Sequence, residues 1–544
     1  MLPDEVLLTI FDFCADEYPH SKKDFEAWWQ SLVHVCRRWR TVVFRSPRSL
    51  NLRLVFSLGK PRGMLDVWPA LPLIIWDYEC SRKSIDDVIG LLEHPLRVCQ
   101  INLMWISSSR YLKKVSAAMQ VPFLQLTNLV LQSYCVTMPA LPDSFLGGSA
   151  PRLRKLSLNR IPFPGLPKLL LSATQLVGLY LKNIPQSGYI SPEAMSAALS
   201  TLTNLESLHL IFQSPLSYPD LSIRHPPPKP FVLPVLTSLK FKGVGKYLEA
   251  LVAWIDAPQL SKLNITFSDR IVFSTPQLIQ FIHHTPRLMA LETARVFFGD
   301  DFAKVHLSSR GSGHREVVIE ILCGNFGRQL SSLEQVLILS LPPFSMLENL
   351  YIYDPYSQLD SESDWQDDNE VMPWLGLLHP FTAVKNLYLS EQIATCIAPV
   401  LQDLVGSRST EVLPGLENIF LEGGLESSGP VQEGIGQFVA ARQVTTHPIA
   451  VTRWAGHEDS DDDYDDDDDG DDDGLSDNDD VEVDVDDDDE DDDDDDEEEE
   501  DDYDDDYDDY DDDDYNNNID HNDHNDNYTN YDYDDYDTDY DDWY

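Results

Sequence analysis

Residues 153–158 read LRKLSL, and the reading of this six-residue stretch decides the fold. Its apolar side chains alternate from Leu156 to Leu158, so both fall on one face of a period-two strand, with Leu153 anchoring the chain ahead of it. The same L-x-x-L-x-L pattern stands at Leu126-Leu129-Leu131, Leu176-Leu179-Leu181 and Leu205-Leu208-Leu210. It continues with apolar replacements at Leu236-Leu239-Phe241, Leu260-Leu263-Ile265, Leu347-Leu350-Ile352, Val384-Leu387-Leu389 and Leu416-Ile419-Leu421, and an earlier copy is Val98-Ile101-Leu103. From Val98 to Leu260 the first residues of successive copies are 28, 27, 23, 29, 31 and 24 apart. A strand of each unit placing its leucines inward, with the rest of the unit returning along the outside, stacks into one continuous core.

The return segments have helical periodicity in SPEAMSAALSTL, KYLEALVAWI, PQLIQFIHH and CIAPVLQDLVG. Five copies carry proline two residues before the first leucine (Pro151, Pro234, Pro258, Pro286, Pro414), which stops the returning helix ahead of the strand. These periods are those of leucine-rich repeats. The stretch resembles the irregular leucine-rich repeats that follow many F-boxes, including those of mushroom-forming fungi, and FVAARQVTTHPIAVTRW resembles the close of that repeat domain. It lacks the consensus asparagine of plant and animal repeats, and Leu288 to Leu347 fits two repeats poorly. The expected fold is α/β: a leucine-rich-repeat solenoid over 98–455, one strand and one helix per repeat. Residues 51–97 hold a linker and first strands or a capping repeat, read as strand, strand and helix in NLRLVF, LPLIIWDY and SIDDVIGLLEH.

Ahead of the repeats, residues 1–50 have three amphipathic segments. Pro3 opens the first, with Asp4 and Glu5 in the turn where a helix favours negative charge. Val6, Leu7, Ile10, Phe11 and Cys14 follow at helical spacing; Phe25, Trp28, Trp29, Leu32, Val33 and Cys36 form a second run, continued by Trp39, Val42 and Val43. So small a unit is expected to expose apolar surface for a partner. LPDEVLLTIF followed by LVHVCRRWR resembles the F-box, the adaptor-binding module of SCF-type ubiquitin ligases. The resemblance implies a three-helix unit in which Leu2, Pro3, Ile10, Phe11, Val35, Cys36 and Trp39 grip a Skp-type adaptor or form the core beneath that face. The segment Ala15–Glu26 lengthens the first connection relative to that family, and the chain starts one residue before the motif.

The net charge of −56 is concentrated at one end. From Glu458 onward there are 54 acidic residues and no Lys or Arg, leaving 41 acidic against 39 basic residues before it. The body is nearly neutral, which argues against specific nucleic-acid binding. Residues 456–544, rich in Asp and Tyr, have too little apolar content to offset the entropy of ordering and are expected to form a disordered acidic tail. Seven scattered cysteines without a C-x-x-C are expected to be buried thiols, and no apolar run approaches the roughly 18 residues of a membrane span. No charged-then-apolar signal precedes the first helix, so the expected location is cytoplasmic, nuclear or both.

No phosphate-binding loop, RING-like Cys/His series or nucleophile context is present, and Gly434-Ile435-Gly436 lacks the third glycine of a dinucleotide site. The chain therefore reads as non-catalytic, with no cofactor and no metal. By resemblance it is the substrate-recognition subunit of an SCF-type ligase: the F-box docks the Skp adaptor, and through it a cullin-RING complex, while the repeats bind a target protein. The alternatives are an F-box protein working outside the ligase, or an acidic-tail scaffold binding histones or other basic proteins. Residues flanking the inward leucines point away from the core, onto an expected concave target-binding face. In the middle repeats these include Lys155, Lys182, His209, Lys240, Lys242 and Lys262; later repeats offer Tyr351, Tyr353, Tyr388 and Phe420. That pattern suits an acidic or phosphorylated target with an aromatic or apolar anchor.

Overall fold

The computed structural model describes residues 2–17, 29, 31–46, 50, 52–56, 71–78, 80, 84–135, 137–213, 230–268, 275–309, 315–339, 346–353, 371–404, 408, 410–422, 429–444 and 448–454. The chain divides into two units, Met1–Asp462 and Asp463–Tyr544, and every described residue lies in the first. The expected acidic tail lies outside the described residues, as do two stretches that read as loops, the Pro-rich RHPPPKP at 224–230 except Pro230 and the acidic DSESDWQDDNE at 360–370.

Eighteen strands are present among the described residues. They are β1 (Leu54–Phe56), β2 (Leu73–Asp77), β3 (Val98–Ile106), β4 (Asn128–Ser133), β5 (Lys155–Asn159), β6 (Gly178–Ile184), β7 (Ser207–Phe212), β8 (Phe231–Val232) and β9 (Ser238–Gly243). Then come β10 (Ile255–Asp256), β11 (Lys262–Phe267), β12 (Thr293–Phe298), β13 (Phe302–Ser308), β14 (Glu316–Leu322), β15 (Asn349–Tyr353), β16 (Asn386–Leu389), β17 (Asn418–Glu422) and β18 (Ala450–Trp454). Sixteen of them form one sheet, in the order β1-β2-β3-β4-β5-β6-β7-β9-β11-β14-β13-β12-β15-β16-β17-β18, while β8 and β10 make a separate parallel pair.

The leucine pattern is the reason. Leu126, Leu153, Leu176, Leu205, Leu236 and Leu260, the first leucines of six copies, are each 0 % exposed, and the second and third leucines are buried beside them. Burying each such side chain contributes roughly 1.5–3 kcal/mol, and the alternation in β4, β5 and β9 is the one expected of strands with a single buried face. In register, Leu129, Leu156, Leu179, Leu208, Leu239 and Leu263 are consecutive partners across the sheet. The return helices lie where the sequence places them: Pro192–Leu199, Gly245–Val252, Pro276–His283 and Glu391–Asp403. They pack on the leucine face, each against its neighbours along the stack. The other face of the sheet carries the residues between the leucines.

One stretch departs from one strand and one helix per repeat. After the Pro276–His283 helix the chain does not add a strand beside β11; it runs out to β12, returns antiparallel through β13, and only β14 pairs with β11. β12 then pairs in parallel with β15, so the stack resumes. This three-strand meander occupies the region that fits two repeats poorly. The β12–β13 turn is closed by Gly299 N–H donating to Phe302 O at 2.8 Å, and a side chain at Gly299 would collide with the Phe302 ring. Gly434 and Gly436 lie inside the Pro430–Val444 helix, where Gly434 lets the backbone of Ala398 approach; a dinucleotide turn is absent there.

The N-terminal unit has a helix at Asp4–Glu17, helical residues at 31–35 and a helix at Arg37–Arg45. Phe25, Trp28 and most of the 15–26 connection lie outside the described residues. Of the described cysteines only Cys80 meets the buried-thiol expectation: Cys99, Cys135, Cys323 and Cys396 are half-buried, and Cys36 is exposed, its sulfur accepting from Trp39 N–H to cap the last helix.

Candidate partner-binding surfaces

Two surfaces emerge, one on the N-terminal helices and one on the face of the sheet opposite the buried leucines. In the first, Leu7, Phe11, Trp29, Val33, Val42 and Val43 form the core, with Trp39 set edge-on to Phe11 at 4.8 Å. The single apolar stripe read in the first helix is thereby divided. Leu7 and Phe11 face inward, whereas Val6 and Ile10 stay outside; Leu2 is 52 %, Ile10 43 % and Val35 60 % exposed. Arg38 ties the two helices, donating through Nε to Asp4 Oδ1 at 3.1 Å, through Nη2 to the same oxygen at 2.7 Å, and to Leu2 O. Of the seven candidate adaptor residues, Phe11 and Trp39 are therefore structural, while Leu2, Pro3, Ile10, Val35 and Cys36 are at the surface.

On the sheet, a central transverse row runs Ser157, Tyr180, His209, Lys240, Asn264, Val318, His306, Arg295, Tyr351, Tyr388, Phe420 and Thr452 in backbone register. The candidate residues fall on this row or the rows beside it: Lys155 and Lys262 at the strand starts, Lys182, Lys242 and Tyr353 toward the strand ends. His209 corrects an expectation. It is only 4 % exposed, because the Tyr180 ring stands edge-on to it at 4.7 Å, and that ring in turn lies over Gly178 and under the Lys155 ammonium at 5.2 Å.

Lys262 is also altered by its neighbours. The meander brings Glu316 beside it at 3.7 Å, with His306 Nε2 3.6 Å from the other carboxylate oxygen, and places Glu320 opposite Lys304. Acidic residues thus interrupt the basic stretch at β14, and the lysines of β5, β6 and β9 stand apart from them.

The later repeats form an ordered column. Tyr351 and Tyr388 stack at 4.1 Å and 9°, and Tyr388 and Phe420 at 4.4 Å and 7°. Trp454 closes the side edge-on to both tyrosines, and the Arg295 guanidinium covers the open face of Tyr351 at 5.8 Å. One row earlier, Asn418 Nδ2 donates to Asn386 Oδ1 at 2.8 Å and Asn386 Nδ2 to Asn349 Oδ1 at 2.9 Å. An amide ladder and a ring stack therefore run side by side, as identical side chains do when strands hold them in register. Sequence reasoning named the rings but missed the asparagines, Arg295 and Trp454. The signal was present: Asn-Leu-Tyr-Ile, Asn-Leu-Tyr-Leu and Asn-Ile-Phe-Leu recur at 349, 386 and 418.

No group of three or more metal-ligating side chains occurs among the described residues, and no described helix is long and apolar enough to cross a membrane. Burial and the neighbouring Asp77 carboxylate push the Cys80 thiol up to about 12, so it is an inert core thiol. No protein-family model matches the chain, and no curated protein matches it. Among solved structures, the leucine-rich repeat-containing protein LegL7 from Legionella pneumophila matches with 14 % identity and a TM-score of 0.25, over 71 % of this chain and 97 % of that one.

Proposed function

We propose that this chain is the substrate-recognition subunit of an SCF-type ubiquitin ligase, holding a Skp-type adaptor with residues 2–50 and a target protein with the free face of its repeats. The observation that carries the reading is the division of the first helices into a packed core and an unpaired apolar surface of Leu2, Ile10 and Val35, on a sequence that resembles the F-box. Apolar side chains this exposed on so small a unit favour a covering partner. The contribution to ubiquitin transfer is placement: a tethered target meets the conjugating enzyme at an effective concentration of the order of millimolar.

The test is co-purification of the full chain with a Skp-type adaptor. Ile10→Asp with Val35→Asp puts charge on the surface without touching the core, so the melting temperature holds while adaptor binding falls by about a hundredfold or more, from two apolar groups worth ~1.5–3 kcal/mol each. Retained binding overturns the reading. Adaptor binding without cullin recruitment assigns the chain to work outside the ligase.

A further inference from the structure

At the rim where β4 to β9 begin, the starts of the strands enclose a groove of about 720 Å³ with a polar lining. Its floor is a single transverse row. Arg154 N–H donates to Thr127 O at 2.7 Å, Val177 N–H to Arg154 O at 2.8 Å and Glu206 N–H to Val177 O at 2.8 Å, so these residues sit side by side just ahead of successive strands. Among the described residues, neither the Arg154 guanidinium nor the Glu206 carboxylate has a hydrogen-bond or ion-pair partner, and nor does the Gln175 amide between them. Val177 and Val235 supply apolar wall, the latter 39 % exposed. Arg152 also lines the groove with its guanidinium donating to Gln125 Oε1, so the charged groups left without a partner are one cation and one anion, which with an amide and two valines favour a segment carrying both charges over a polyanion.

The backbone spacing fits one conformation best. Arg154 and Glu206 are two strands apart, about 9.6 Å at the ~4.8 Å inter-strand distance. An extended β-strand puts same-side residues ~6.7 Å (i, i+2) or ~13 Å (i, i+4) apart, and neither matches. A polyproline II segment has three residues per turn and a ~3.1 Å rise, so residues i and i+3 share a side about 9.3 Å apart. Its backbone groups carry no internal hydrogen bonds, which leaves them for the Gln175 amide, and its proline rings suit Val177 and Val235.

We propose that this groove binds a polyproline II segment of a protein partner that places an acidic residue on Arg154 and a basic residue, three positions away, on Glu206. The proposal rests on reading the repeats as a partner-binding surface and is independent of the helices that would hold the adaptor.

Saturation-transfer NMR on the full chain, with synthetic peptides in excess, tests it. The probes are Gly-Glu-Pro-Pro-Lys-Gly and the same peptide with one proline or with three between the charges. The lysine of every probe is attracted alike to the acidic C-terminal residues, so the differences are what is read. The two-proline peptide binds at least threefold more tightly than the others. Arg154→Glu or Glu206→Lys alone weakens it about fivefold, as expected for an exposed charge pair. The double variant R154E/E206K recovers it, since a segment without a hydrogen-bonded ladder can lie in the opposite direction. Equal binding of the three spacings, indifference to the single variants, or a double variant no better than the singles overturns the proposal. Adaptor co-purification is unchanged in all three variants, so failure here is distinct from failure of the docking helices.

Discussion

The strands β5 to β9 and the strands β15 to β17 are the same device with different residues between the leucines. In the later block every central position is a ring and every preceding position an asparagine, so parallel register converts a sequence repeat into a stack and a ladder. The earlier block puts Ser157, Tyr180, His209 and Lys240 in the same row, and no ladder forms; one tyrosine folds over a glycine and covers a histidine instead. The lesson is that the scaffold sets positions, while like residues at consecutive positions decide whether the surface is rigid and shared or a set of independent side chains.

The largest effect expected is one that the two blocks should share. Leu208 and Leu387 hold equivalent inward positions and are each fully buried, so Leu208→Ala and Leu387→Ala should both lower stability by about 2–5 kcal/mol in chemical denaturation. A difference of more than about 2 kcal/mol between them would break the claim of a common scaffold. The next effect should separate the blocks. Tyr388→Ala removes two stacked contacts and costs about 1–3 kcal/mol, whereas Lys240→Ala in the same row costs within about 0.5 kcal/mol. Equal costs would mean that the ring column contributes no rigidity.

The smallest effect concerns helix ends. In the earlier block Glu249 accepts from Gln277 N–H at 2.9 Å and Leu278 N–H at 2.8 Å, capping the next return helix; in the later block Glu422 accepts from Glu391 N–H at 3.2 Å. Burial pushes the Glu249 carboxyl above its ordinary range, and the two backbone hydrogen bonds only partly oppose it. A carboxyl raised on folding binds its proton more tightly in the native state, so its contribution is greatest below the ordinary carboxylate range and is lost as pH rises through the folded value. Glu249→Gln should therefore flatten the fall in melting temperature over that interval, by an amount worth about 1 kcal/mol or less. An unchanged pH profile would show that Glu249 is solvated.

Much of this was legible in the order of residues. The L-x-x-L-x-L spacing identified the strands, their inward leucines and the four return helices, because side-chain periodicity and proline placement are local properties. The apolar N-terminal helices were legible too, but not which side of the first helix is core. Phe11 and Ile10 are neighbours in sequence, and only packing against Trp39 puts the first inside and leaves the second out. The alternation in 293–298, 302–308 and 316–322 was also readable as strands, yet a search for one leucine pattern passes over it.

Pairing order is what the sequence alone left open. A strand's residues say which face is buried; which strand lies beside it depends on contacts far away along the chain. The tertiary structure seats β14, not β12, next to β11, and so brings Glu316 to Lys262 across more than fifty residues of sequence. The same non-local pairing sets the acidic residues of β14 between the basic block and the aromatic one. Composition supplied the lysines and the rings, and the sheet order decided which of them act together.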